Sequence, residues 1–332
     1  MVSGGTDRMV TIYALDVAQP TSGTPRVLQG HSDIVLGVGW SPDGHRLASS
    51  EWDNLVHVWD ATAGAPVQLL QHLEDTRNYF SALAWGPDGR LACGSYRQSV
   101  LVWDERTKSS RWLDHQRPTW VRTVAWRSDG RQLAGGDEYG TIYVWNADDH
   151  TLVRAMADVH NTVMCLAWEP EEASAGARLA SGGLGNGGGE LFIWNTVSGE
   201  CLHTVAGHPV NVHAVAWGSQ KDIVISGDSE GTLRWWHLQR GDCLRVHKAH
   251  EGSVQSLRRS PDGTKLASCG DDGTIRIWDL DSGEPLQTLR RDRPYERMDI
   301  TGVTGLTTAQ VASLKALGAV ETLGRVPPGR EQ

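Results

Sequence analysis

The segment Leu47-Ala48-Ser49-Ser50, with Val58-Trp59-Asp60 behind it, returns near the far end of the chain as Leu266-Ala267-Ser268-Cys269 with Ile277-Trp278-Asp279. Aligning the whole chain on the closing aromatic gives Tyr13, Trp59, Trp103, Trp145, Trp194, Trp236 and Trp278, at steps of 46, 44, 42, 49, 42 and 42 residues. Seven copies at a nearly fixed period mark a repeat architecture. The small-residue strand starts 12 residues before the aromatic in every copy except the fifth, where Leu179 to Trp194 is 15, a three-residue insertion.

Each copy alternates apolar with small or polar residues over short stretches, which reads as strands: Val35 to Trp40, Arg46 to Ser50, Leu55 to Trp59 and Val67 to Leu70. Ser41-Pro42-Asp43-Gly44, Gly86-Pro87-Asp88-Gly89 and Ser260-Pro261-Asp262-Gly263 supply turns between the first two strands. A lone four-stranded antiparallel sheet leaves faces and edges open to water. The copies therefore stack face to face, and closing them radially removes the unprotected ends.

Composition narrows the function classes. Over 332 residues, 31 Lys+Arg against 40 Asp+Glu give a formal charge of −9, which opposes the phosphate attraction on which nucleic-acid binders rely. The five cysteines (Cys93, Cys165, Cys201, Cys243, Cys269) are odd in number, scattered and without a C-x-x-C pair, so neither a disulfide frame nor a zinc knuckle is indicated. A reducing cytoplasm fits them. No apolar run reaches membrane-spanning length, and Met1-Val2-Ser3-Gly4-Gly5 has no export signature.

Gly30-His31 paired with Trp59-Asp60, Gly207-His208, Ala249-His250 and the drifting ends Trp145-Asn146, Trp194-Asn195 and Trp236-His237 resemble the WD-repeat family over roughly residues 1–290. That resemblance implies an all-β, seven-bladed β-propeller of four-stranded antiparallel blades that binds protein or peptide partners, without a cofactor.

A histidine, a serine, an acid and a tryptophan recur at fixed offsets: His31, Ser49, Asp53, Trp59; His208, Ser226, Glu230, Trp236; His250, Ser268, Asp272, Trp278. These imitate nucleophilic triads, but three copies around one ring are better explained as structure. The acid accepts from the histidine, the histidine reaches the serine, and the serine reaches the indole N–H, which satisfies every buried polar group. The set resembles the family's structural tetrad. Arg97, Tyr139 and Gly188 at the acid position, with Cys93 and Gly135 at the serine position, predict incomplete networks in blades three to five.

Two further motifs have plain readings. Gly183-Leu184-Gly185-Asn186-Gly187-Gly188 matches G-x-G-x-x-G, yet Glu190-Leu191-Phe192-Ile193-Trp194 behind it is a strand, whereas a dinucleotide site needs a helix there. His247 and His250 are spaced like a metal pair, but His250 belongs to a tetrad, so no metal is expected.

In this register, two side chains flank the first apolar residue of each innermost strand and one more precedes the acid of the turn, all toward one rim. These are Ile34, Leu36 and Trp52 in blade two, Tyr79, Ser81 and Tyr96 in blade three, and Trp120, Arg122 and Glu138 in blade four. Blade five gives Thr162 and Met164. Blades six and seven give Asn211, His213, Ser229, Ser253, Gln255 and Asp271. In the family this rim commonly meets partners. Trp52, Tyr79, Tyr96 and Trp120, with Arg122 and Met164, have the composition of interface hot spots, so blades two to four form the expected adhesive sector.

Past Leu289 the pattern changes, giving a tail over 291–332. Thr307 with Gln310 forms a capping box for a helix over about 308–317, ending at Gly318, and Val311, Leu314 and Leu317 make its apolar stripe. Blade one lacks an innermost strand, and Ile300-Thr301-Gly302-Val303 repeats the spacing of Val35-Leu36-Gly37-Val38, which predicts a closing strand over 298–304. The run from Arg293 to Thr307 with Leu317-Gly318-Ala319 resembles the end of bacterial STAND-type signalling NTPases that carry WD repeats. It implies the sensor half of such a protein, with an NTPase module in the same or a neighbouring chain. The expected function is a non-catalytic scaffold or sensor of a bacterial signalling or defence system. A hydrolase-like enzyme built around the central channel, and a purely structural repeat, are the competing readings.

Overall fold

The computed structural model describes residues 1–13, 25–53, 55–61, 66–71, 79–96, 99–113, 117–157, 162–170, 178–185, 188–290, 298–316 and 319–321. They form a seven-bladed β-propeller: six four-stranded sheets and one three-stranded sheet, each an antiparallel meander in chain order. Blade two shows the pattern, with strands Val35–Trp40, Arg46–Glu51, Leu55–Asp60 and Pro66–Gln71. The expected strands hold to within one residue at each end.

Adjacent blades meet through the second strand of one and the innermost strand of the next. From Leu47 to Glu51 every residue of the second strand is buried, as expected for a strand covered on both faces. Close approach is bought with glycine. A Cβ on Gly4 would stand 2.4 Å from Val35 Cγ1, one on Gly136 2.4 Å from Val163 Cγ1, and one on Gly227 2.6 Å from Val254 Cγ1. The ring closes where Tyr13 of blade one packs with Ile275 and Ile277 of blade seven, beside Met1, Ala267 and Cys269.

A second tryptophan series ends the innermost strands and ties each blade to the one before. Trp85 Nε1 donates to the Gly39 carbonyl (3.1 Å), Trp126 to Ala84 (3.0 Å), Trp168 to Ala125 (2.9 Å) and Trp217 to Ala167 (2.9 Å). Indoles suit this role because a large apolar body fills the gap while one N–H satisfies a carbonyl.

The innermost strands of blades two to seven each carry a register shift around their second residue. A bulge leaves that residue outside the ladder and re-aims its side chain. The residues so placed are Leu36, Ser81, Arg122, Met164, His213 and Gln255.

The chain divides into two compact units, Met1–Leu289 and Arg290–Gln332. In the second, helix Thr308–Ala316 starts at the expected capping box: Thr307 N donates to Gln310 Oε1 (2.8 Å) and Gln310 N to Thr307 Oγ1 (3.3 Å). Its expected end at Leu317-Gly318 lies outside the described residues. Residues 298–304, expected to close blade one, form a turn here. Asp299 Oδ1 accepts from the Thr301 amide (2.8 Å), Gly302 takes φ 72°, and Val303 N donates to the Ile300 carbonyl (3.2 Å). Asp at the start and Gly at the fourth position bend the chain, and the ladder goes to Val320, whose amide and carbonyl pair with Met298 and Ile300. The three strands of blade one, Val2–Gly4, Val10–Ile12 and Arg26–Leu28, stand without a fourth among the described residues. No helix among them is long and apolar enough to cross a membrane.

Candidate functional site

The recurring polar sets differ from blade to blade. Blade seven forms the full expected network: Trp278 Nε1 donates to Ser268 Oγ (2.9 Å), Ser268 meets His250 Nε2 (2.7 Å), and His250 Nδ1 meets Asp272 (3.0 Å). In blade two, Trp59 donates to Ser49 (2.6 Å) and Ser49 meets His31 Nε2 (2.6 Å), but His31 Nδ1 faces Glu51 Oε2 at 3.1 Å. Asp53, the expected acid, instead accepts from the Ser32 hydroxyl (2.6 Å). In blade six, Trp236 and His208 share Ser226 (2.8 and 3.0 Å), while His208 Nδ1 has no hydrogen-bond partner among the described residues. Glu230, the expected acid there, offers its amide to Asp228 (3.0 Å), and no bond joins it to His208.

The sequence reading missed a second acid series. Glu51, Asp137 and Asp228 end the second strands of blades two, four and six, all buried, and each binds the residue six positions later across the hairpin. Glu51 accepts from His57 Nε2 (3.0 Å), Asp137 from the Tyr143 hydroxyl (3.2 Å), and Asp228 pairs with Arg234. Blade four, where an incomplete tetrad was expected, carries this network, which Thr119 joins at 3.3 Å. A carboxylate closing the second strand, six residues before a hydrogen-bond donor, was the available signal.

His31, Glu51 and His57 bring three donor atoms to within 4.8 Å of one another, the layout of a divalent-metal trio. The same atoms also take part in a hydrogen-bond network. Trp59 donates to Ser49, Ser49 meets His31 Nε2, and His31 Nδ1 lies 3.1 Å from Glu51 without a hydrogen bond to it, while Glu51 takes the amides of Ser32 (2.8 Å) and Asp33 (3.1 Å). Burial lowers the pKa of His31, with His57 adding to the effect, and burial pushes His208 down to about 4. In both, burial favours the neutral ring. Ser49, Ser226 and Ser268 are 0 % exposed, so no substrate reaches them as nucleophiles. His247, the other half of the apparent metal pair, packs on Trp235 and Trp278 with ring centroids 5.4 and 5.7 Å apart. Glu190–Asn195, after the glycine loop, is a strand.

The rim positions form a regular set. The amide after the second strand donates to the carbonyl before the innermost strand: Trp52 to Ile34 (3.2 Å), Tyr96 to Tyr79 (3.1 Å), Glu138 to Trp120 (3.0 Å), Ser229 to Asn211 (2.9 Å), Asp271 to Ser253 (3.1 Å). These bonds fix two rim side chains per blade, and the bulge supplies the third.

In blades two to four the rim side chains build one aromatic body. Trp52 stacks on Tyr79 (4.7 Å, 13°), Tyr79 on Tyr96 (5.0 Å, 9°), and Trp120 stands edge-on to both tyrosines (5.3 and 5.5 Å). The Arg122 guanidinium lies over Trp120, 3.5 Å from the ring centroid, and Trp120 Nε1 donates to Ser81 Oγ (2.8 Å). Trp52 is 48 % exposed, whereas Tyr79, Tyr96 and Trp120 are half-buried, so part of their area is spent joining blades. Ile34, Leu36 and Met164 are also half-buried. Tyr139, 70 % exposed in the turn after Glu138, is a further rim aromatic that the alignment placed only as a failed tetrad acid.

Comparison with known proteins adds a family-level result. The model described as WD domain, G-beta repeat matches residues 23–60, 67–104, 199–237 and 241–279, and the anaphase-promoting complex subunit 4 WD40 domain matches 91–171. Among curated proteins, the chain is 27 % identical over 208 residues to Cell division cycle 20.5, cofactor of APC complex, of Arabidopsis thaliana, covering 59 % of this chain and 44 % of that protein. It is 30 % identical over 179 residues to Protein FIZZY-RELATED 1 of the same plant, covering 53 % of this chain and 36 % of that one. The chain thus spans less than half the length of these relatives.

Proposed function

The chain belongs to the WD-repeat family, and on that premise we propose that it is a non-catalytic scaffold whose aromatic rim over blades two to four docks a protein partner. The observation that carries this reading is the unbroken stack Trp52–Tyr79–Tyr96 with Trp120 against it, at positions which the innermost-strand core does not need. Large rigid rings give contact area at low entropic cost, and Trp, Tyr and Arg are the side chains that dominate interface energetics. A relative named as a cofactor of a protein complex is in keeping with this role. Inaccessible serines in the triad-like sets speak against a hydrolase. The tail that resembles STAND-type signalling NTPases supports a place as the sensor of a bacterial signalling system, where ligand on the rim shifts an attached switch by differential affinity.

Affinity capture with the full chain, compared with Trp52→Ala and Trp120→Ala, tests the docking surface. Loss of the same specific partners from both variants, with folding intact by circular dichroism, is the expected result. An unchanged partner set moves the interface elsewhere.

A further inference from the structure

Resting on that docking reading, we propose that the rim selects a short peptide segment in which a carboxylate sits close to an aromatic or large aliphatic side chain, with Arg122 receiving the carboxylate.

Arg122 is the bulge residue of the innermost strand Val121–Trp126, so its side chain is turned out of the ladder toward the mouth of the ring. It forms no hydrogen bond or ion pair among the described residues, and its buried Nε lacks a partner. Glu138, whose charge acts on Arg122, accepts the Trp120 amide at Oε1 (3.3 Å). Stacking on Trp120 holds the guanidinium flat and pre-oriented, leaving its N–H edge for a planar acceptor. A carboxylate fits that edge with two parallel bonds.

The apolar half of the ligand follows from the stack. Ring separations of 4.7 and 5.0 Å leave no slot between Trp52, Tyr79 and Tyr96, so the array is a plate and not a cage for a cationic group. Its open area is Trp52. Arg122 is the only Lys or Arg among the rim positions named above, and the chain carries −9 overall. One cation suits a single side-chain carboxylate and is too few for a run of phosphates.

The test is a random dodecapeptide display library panned on the full chain, on Arg122→Gln and on Trp52→Ala. On the native protein, enriched peptides should carry Asp or Glu within a few residues of an aromatic or large aliphatic residue. Their Asp→Asn or Glu→Gln versions should bind roughly tenfold more weakly, as for loss of a charge-assisted pair. On Arg122→Gln the acidic and amide peptides should bind equally, and Arg122→Lys should restore part of the difference. Enriched peptides that depend on Trp52 but show no acidic preference overturn this inference alone. Peptides indifferent to Trp52, or no enrichment, overturn the docking reading with it. Tighter Trp52-dependent binding of a labelled dT12 oligonucleotide would assign the plate to nucleic acid instead.

Discussion

Two carboxylates two residues apart, Glu51 and Asp53, stand in very different surroundings. Glu51 is fully buried and accepts from the His57 imidazole and two amides, with His31 Nδ1 3.1 Å away, whereas Asp53 holds one serine hydroxyl at the surface. Glu51→Ala should destabilise the protein by about 3 kcal/mol and Asp53→Ala by less than about 1, because only the first strands several buried donors. Urea unfolding of the pair decides it, and equal losses would contradict the arrangement. The fixed offset of 22 residues pointed to Asp53 because it does hold in blade seven, where Gly270 ends the second strand and leaves Asp272 as the acid. Where the strand itself ends in a carboxylate, that nearer group takes the histidine or another donor, a competition that spacing alone cannot reveal. The histidines also set a pH dependence. His208 ionises at about 4 in the fold against 6.5 when free, so the unfolded chain binds the extra proton and stability is lost as pH falls from about 6.5 toward 4. By pH 5 the loss from His208 alone should be about 2 kcal/mol. His31 and His250, also lowered by burial, act in the same direction. A melting temperature that stays flat between pH 7.5 and 5 would show that these rings are not held neutral.

At the scale of strands and blades, the sequence was read most fully where periodicity and turn residues agree. Strand boundaries, seven blades and the capped helix all follow from patterns in which each residue favours the same local state. What escaped it depends on neighbours distant in sequence. The glycines at or next to the ends of the second strands look like ordinary weak strand residues, yet they are spacers set by the next blade. Gly136→Ala, which forces a Cβ to within 2.4 Å of Val163, should cost about 1–3 kcal/mol by overpacking, measurable by denaturant titration; a neutral result would mean that the blades can part there. Likewise, Trp85, Trp126, Trp168 and Trp217 read as strand ends, while their indole bonds cross to the preceding blade. The segment 298–304 has the spacing of an innermost strand but also the Asp-x-x-Gly chemistry of a turn, and here the local preference prevails.

For the molecule as a whole, blade one is the unusual sector, since its second strand faces the channel side with no fourth strand among the described residues. The six bulges have a separate consequence for how such a ring changes its ligand. Leu36, Ser81, Arg122, Met164, His213 and Gln255 differ widely in size and charge although their backbones are alike, because the bulge sets each position through the backbone, even where, as at Ser81, the side chain also bonds the next blade. Mutations there can rewrite what the ring grips while leaving it standing, so new preferences are open to a lineage one substitution at a time.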